Sequence, residues 1–177
     1  MAGPAPGPLS EAHSPAGGWA FAVSGRRRIP LPGWGVSLEV YWREGRIHRI
    51  AFVEGEAGGG GADDPLAAWV AAWRRDPTVV PPEVPLAPAG TAFQRRVWAA
   101  LRAIPPGETR TYGALAEALG SHPRAVAGAC RANPWVLLVP CHRAVSTCGP
   151  GGFMGATDGW PLALKRRLLA HEGGGGP

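Results

Sequence analysis

Two runs of alternating apolar and polar residues, 36–42 and 47–53, flank the short break Arg43-Glu44-Gly45-Arg46. A period of two marks a strand with one buried face, and two such runs around a Gly-containing break predict a hairpin. Residues 19–23 read as a further strand, and residues 55–61 are a glycine-rich break. Asp64-Pro65 then pairs an N-cap residue with proline at the first helical position. Leu66, Trp69, Val70 and Trp73 recur at helical spacing until Asp76-Pro77. Residues 79–90 are rich in proline and read as an extended linker.

Beyond position 90 the period changes. Thr91 and Gln94 form a capping box, and Phe93, Val97, Leu101 and Ile104 fall on one helical face that Pro105-Pro106-Gly107 terminates. A short helix over 111–119 directs Leu115 and Leu119 inward. Gly120-Ser121-His122 is a turn, and Pro123 opens a helix ending near Ala132. Two short helices around a three-residue turn containing Gly suggest helix-turn-helix. The apolar run 135–139 reads as a buried strand halted by Pro140, which lacks a backbone donor. A last helix spans about 161–172, with Gly173 as its stop. The fold class is α+β: a small N-terminal strand–helix domain (18–78), the linker (79–90), and a mainly helical C-terminal domain (91–173) with a helix-turn-helix, winged-helix-like element. Residues 1–17 and 174–177 are expected to be disordered tails, because their Pro, Gly and Ala show no periodicity.

Charge separates the two halves. Residues 1–90 carry 8 Arg against 9 acids, whereas residues 91–177 carry 9 Arg and Lys165 against 4 acids. The basic half suits a polyanion. No stretch is apolar enough to span a bilayer and the N-terminus lacks a signal-peptide pattern, so a cytoplasmic location, no membrane partner and reduced cysteines are expected. The 3 cysteines, Cys130, Cys141 and Cys148, contain no Cys-x-x-Cys pair; neither a metal nor a cofactor is expected.

The candidate chemistry begins at Cys141-His142. A thiol held at the end of a rigid element beside an imidazole can be ionised and aimed, although a lone intracellular cysteine is more often a small core residue. The helix opened by Pro123 carries Arg124, Ala125, Gly128, Cys130 and Arg131 but no Asn, Gln or Glu to read base edges. Its small residues either leave a bare face for close approach to a nucleic-acid backbone or minor groove, or pack tightly against another helix.

Five segments, in this order, carry a resemblance: 91–98 (TAFQRRVW), 107–116 (GETRTYGALA), 123–129 (PRAVAGA) with Asn133-Pro134, Pro140-Cys141-His142-Arg143, and 168–172 (LLAHE). Residues 91–172 resemble the O6-alkylguanine-DNA alkyltransferases, also called methylated-DNA–protein-cysteine methyltransferases. The resemblance implies that Cys141 takes an alkyl group from the O6 atom of guanine in double-stranded DNA, once per molecule. It implies that His142 deprotonates Cys141 through a water, that Glu172 orients His142, and that Tyr112 donates to the departing guanine. Arg124 would enter the stack where the base is flipped out, beside Ala125, Gly128 and Arg131, and Asn133 would lock the turn before Cys141. Cys130, Ala144, Phe153 and Met154 are then expected around the base. The loop departs from the family's Tyr-Ser-Gly pattern, being longer and reading Gly152-Phe153-Met154-Gly155. Two rival readings remain: a non-catalytic relative that flags alkylated bases, and a plain helix-turn-helix regulator. With no dimer signal in the sequence, a monomer is expected.

Overall fold

The computed structural model describes residues 24–59 and 64–173. The strand expected at 19–23 and both tails lie outside these residues. Three antiparallel strands, β1 (Gly25–Leu31), β2 (Val36–Arg43) and β3 (Arg46–Glu54), form a sheet in that order. The β2–β3 hairpin closes as its sequence predicts. Glu44 and Gly45 both take positive φ, 51° and 73°, the twist that a two-residue hairpin turn demands.

β1 is a strand that the sequence pattern missed, since Arg26-Arg27-Arg28 hides the apolar alternation of Ile29 and Leu31. Pairing supplies what the pattern lacks: Ile29 lies opposite Leu38, and Leu31 opposite Val36. Arg27 meets Asp64 at 2.6 Å and Arg28 meets Glu39 at 2.9 Å, and Pro30 is tolerated because β1 is an edge strand. Helix α1 (Pro65–Trp73) starts at Asp64, whose carboxylate accepts from the Leu66 amide at 3.0 Å. Its Leu66, Trp69, Val70 and Trp73 are buried.

The outer edge of β3 is covered by two other parts of the chain. The 79–90 segment is extended, as expected, but it is no free tether. Ile47 donates to the Pro85 carbonyl at 2.7 Å, and Ala87 donates to the Ile47 carbonyl at 3.0 Å. Further along, Ile50 donates to Pro134 at 2.7 Å and accepts from Val136 at 3.2 Å. The sheet edge therefore grips the chain just ahead of Cys141. Covering an edge in this way satisfies its backbone groups and blocks pairing with other chains.

Helix α2 (Ala92–Arg102) has both hydrogen bonds of the expected capping box. A two-residue parallel ladder joins β4 (Arg110–Thr111) to β5 (Ala144–Val145), setting the start of α3 (Tyr112–Ala118) beside the Cys141 segment. Helix α4 (Pro123–Arg131) packs on α2 and α3, with the Trp98 indole donating to the Ala129 carbonyl at 2.9 Å. The last helix, α5 (Gly159–His171), begins slightly before its expected start, and Gly173 follows at φ 78°. One buried apolar cluster runs from the sheet through α2 and α4 to α5.

The expected strand at 135–139 is a tight turn instead. Val139 donates to the Trp135 carbonyl at 2.9 Å, and Leu137 stands at φ 73°. An unbroken apolar run gives no sign of a non-glycine residue in the left-handed region, which costs roughly 1–2 kcal/mol. Asn133 fastens the turn: its side-chain amide donates to the Val139 carbonyl at 2.8 Å, and its oxygen accepts from the Trp135 amide at 3.0 Å.

Candidate active site and nucleic-acid interface

Pro140 leads directly into a single 3₁₀ turn, Cys141–Arg143, so Cys141 stands at the start of a helical turn and not at a strand end. Its thiol is buried. Burial pushes its pKa up, against opposing contributions from the Asn133 side chain and the Lys165 charge. The resting group is therefore a thiol, which needs a base to become a nucleophile.

An imidazole is next in sequence and fully enclosed. His142 Nε2 lies 3.0 Å from Glu172 Oε1, with both side chains 1% exposed. Because a carboxylate only accepts, Nε2 carries the proton and Nδ1 keeps its lone pair. Burial holds the His142 pKa below its usual value, more strongly than Glu172 raises it. Burial also opposes ionisation of Glu172, but hydrogen bonds from His142 and Arg143 win and bring its pKa down to about 2.

Arg143 is a partner that the sequence reading did not single out. Its Nε donates to Glu172 Oε2 at 2.8 Å and its Nη2 to Oε1 at 2.8 Å, a two-pronged grip. Its Nη1 donates to the Ile104 carbonyl at 2.6 Å, tying the pair to the end of α2. The motif Pro-Cys-His-Arg thus places a buried thiol, an imidazole and a guanidinium clamp in three consecutive residues.

Lys165 is the second residue missed. Although cationic, it is 0% exposed. Its ammonium donates to the Ala144 carbonyl at 2.6 Å, the Gly152 carbonyl at 3.1 Å and the Tyr112 hydroxyl at 3.4 Å. It also lies 5.6 Å from the Tyr112 ring centroid. Among the described residues no carboxylate is within ion-pair distance of it. Burial brings its pKa down to about 8, and the Cys141 and Cys130 thiols act in the opposite sense. A lysine on a helix reads as surface charge in sequence; only the fold buries it against Tyr112, Ala144 and Gly152.

Tyr112, the first residue of α3, is half-buried, and its hydroxyl donates to the Gly152 carbonyl at 3.3 Å. Burial pushes its pKa up, so it remains a proton-bearing phenol. The loop crosses this ring at Gly151, where an added Cβ would come within 2.9 Å of Tyr112 Cε2. Cys130, on α4, is half-buried, with its pKa pushed up to about 12 by burial and the neighbouring Cys141. All three cysteines are free.

The loop differs from expectation. Phe153 was expected to stack on a base, yet it is 5% exposed and packs against Phe52 of β3 at 6.3 Å between centroids. Ala144 is wholly buried, offering its carbonyl to Lys165. Of the four residues expected around the base, Met154 alone is exposed, at 38%, with φ 53°. The interior suits Phe153 because burying its ring removes a large apolar area from water and packs it on Phe52.

On α4, Val126 and Ala129 face inward, while Arg124, Ala125, Gly128 and Arg131 are exposed. A Cβ added at Gly128 would meet nothing within 4 Å. Gly128 is therefore not required by packing among the described residues, and the face it shares with Ala125 is bare.

The comparisons agree with this geometry. The profile described as "6-O-methylguanine DNA methyltransferase, DNA binding domain" matches residues 92–174. A methylated-DNA–protein-cysteine methyltransferase of Methanosarcina acetivorans is 35% identical over 153 residues, covering 85% of this chain and 81% of that protein. One from Salmonella typhimurium is 37% identical over 140 residues, covering 77% and 74%. The crystal structure of Mycobacterium tuberculosis O6-methylguanine methyltransferase superposes with a TM-score of 0.67 at 29% identity, covering 88% of this chain and 96% of that one. The same enzyme in complex with DNA gives 0.67 at 28%, covering 84% and 92%. On these matches, this chain belongs to the methylated-DNA–protein-cysteine methyltransferase family.

Proposed function

We infer that the protein repairs DNA by moving an alkyl group from O6-alkylguanine to Cys141, one group per molecule. The observation that carries this reading is the buried series Cys141, His142, Glu172 and Arg143, in which each group prepares the one before it. Arg143 keeps Glu172 ionised, Glu172 fixes the proton of His142 on Nε2, and His142 is left neutral with Nδ1 free to receive a proton.

The chemistry balances within these residues. The Cys141 thiol proton passes to His142 Nδ1, through a water where the two do not touch. The thiolate attacks the alkyl carbon; the S–C bond forms as the C–O6 bond breaks, and the bonding pair leaves on guanine. The Tyr112 hydroxyl donates to the departing base, and the imidazolium is stabilised against Glu172. The product thioether has no tendency to leave, so the protein does not turn over. Lys165 holds the Tyr112 hydroxyl and the Gly152 carbonyl together, keeping the loop against the donor.

DNA is the partner, and the bare face of α4 fits a narrow groove: Ala125 and Gly128 permit close approach while Arg124 and Arg131 meet phosphate or enter the stack. This favours minor-groove binding, and because one chain carries the whole Cys141 relay a monomer suffices for it. The rival reading, binding without transfer, is less favoured because such a protein needs neither Cys141 nor its relay. The test is the loss of O6-methylguanine from a duplex titrated with protein. One lesion should be removed per protein molecule, and none by Cys141→Ala. Removal of many lesions per molecule, or unchanged removal by Cys141→Ala, would contradict the reading.

A further inference from the structure

Glu172 occupies a weak place in the chain. It is the C-cap of α5, its amide accepted by the Leu168 carbonyl at 3.1 Å, with Gly173 immediately beyond. Helix ends fray, and a catalytic carboxylate there needs an outside anchor. Arg143 anchors the side chain. The backbone is anchored one residue earlier, by the N-terminal part of the protein.

His171 Nε2 donates to the Trp73 carbonyl, at the end of α1, at 3.0 Å. Its ring meets Trp73 edge-on at 4.6 Å between centroids and Trp34, in the β1–β2 turn, at 5.3 Å. Trp34 and Trp73 also touch each other, at 5.8 Å. One turn earlier on α5, the Arg167 guanidinium lies 4.5 Å from the Trp34 ring centroid. Nearer the start of α5 the joint is loose: a cleft of about 180 Å³ opens between Trp34, Val36 and Glu54 on one side and Trp160 and Leu164 on the other. The aromatic pair thus grips α5 over its last turns, from Arg167 to His171.

We propose that His171 is a positioning residue for alkyl transfer: by fixing the last turn of α5 to Trp34 and Trp73, it sets where the Glu172 carboxylate meets His142. The inference rests on the relay described above and gives the N-terminal sheet and α1 a part in it. The contact is a directed hydrogen bond from a ring held by two indoles, so it specifies the helix end in rotation as well as in distance. A displacement of about 1 Å in such a group costs on the order of a hundredfold in rate.

The experiment uses the full chain in excess over a duplex bearing one O6-methylguanine, following single-turnover transfer between about pH 6.5 and 9. Affinity for the methyl-free duplex is measured beside it. His171→Leu should slow transfer roughly 10- to 100-fold at about pH 7.5. Its DNA affinity should stay within about twofold of wild type, because α4 is untouched. The deficit should shrink towards pH 9, where solvent hydroxide takes over part of the proton removal that His142 performs. His171→Gln, which restores a donor for Trp73, should transfer within about threefold of wild type. Trp34→Leu, which leaves α5 unaltered, should show the same pH-dependent deficit in smaller measure even if His171→Leu fails to fold. A wild-type rate in both His171→Leu and Trp34→Leu overturns the inference, as does a deficit unchanged by pH or by the Gln variant. A wild-type protein that transfers nothing instead overturns the underlying reading of the site.

Discussion

Lys165→Met separates what the buried ammonium contributes to chemistry from what it costs the fold. Methionine keeps the length and apolar stem of the side chain but removes the charge. In the wild type, burial brings the pKa from 10.5 down to about 8. At 1.36 kcal/mol per unit, the folded protein carries a penalty of about 3 kcal/mol for the protonated amine. The sign follows from proton counts. Between pH 8 and 10.5 the unfolded chain binds this proton more firmly than the folded one, so stability rises with pH across that window. The variant lacks this contribution. The stability of the wild type minus that of Lys165→Met should therefore shift towards the wild type by about 2 kcal/mol between pH 7.5 and 9.5. Ionisation of the buried Cys130, Cys141 and Tyr112 opposes folding at high pH in both chains and largely cancels. At any single pH, the Ala144 carbonyl, left without the Lys165 donor, offsets the gain by about 1–3 kcal/mol, while Gly152 still accepts from Tyr112, so the change with pH is the informative quantity. Urea titrations of both proteins at the two pH values measure it. Single-turnover transfer should fall roughly 100-fold in the variant, as Tyr112 and the 151–155 loop lose their common anchor. A pH-independent stability difference, or an unimpaired rate, would refute the reasoning.

Other consequences can be checked in parallel. Gly128→Leu should weaken duplex binding at least tenfold while raising thermal stability by up to about 1 kcal/mol, because the site is open and glycine is unfavourable inside a helix; binding isotherms and melting curves read the two effects. Glu172, held at about 2 against 4.5, stabilises the fold by about 3 kcal/mol above pH 4.5, and that contribution is lost as the pH falls from 4.5 towards 2. Denaturant titrations should accordingly show a steeper acid loss in wild type than in Glu172→Gln. Phe153→Ala should destabilise the protein by about 3 kcal/mol, whereas Met154→Ala should leave stability within about 0.5 kcal/mol. If both variants melt like wild type, Phe153 is not packed as described.

The sequence disclosed the parts of this fold that have local causes. The caps at Asp64 and Thr91, the hairpin at Glu44-Gly45 and the small exposed face of α4 follow from chemistry within a few residues. Cys141, His142 and Glu172 were legible because the family's motifs mark them. What stayed hidden depends on distant partners. Arg26-Arg27-Arg28 becomes a strand only because Asp64 and Glu39 receive its charges and β2 pairs its apolar residues. The 135–139 run becomes a turn because Asn133 and the β3 edge claim its backbone groups. Lys165 is buried because three polar groups, from α3, β5 and the loop, converge on it, and nothing in its immediate sequence signals that. Phe153 was assigned to the base by analogy with the family's loop, whereas Phe52, a hundred positions away, claims its ring.

The central claim is that Cys141 is the acceptor and acts once. The most direct measurement is an intact-protein mass spectrum after mixing with excess duplex containing O6-methylguanine, followed by peptide mapping. The account predicts a gain of one CH₂ per chain, confined to the peptide bearing Cys141 and absent in Cys141→Ala. An unmodified protein that nonetheless retains the methylated duplex, or a methyl group on another residue, would contradict it.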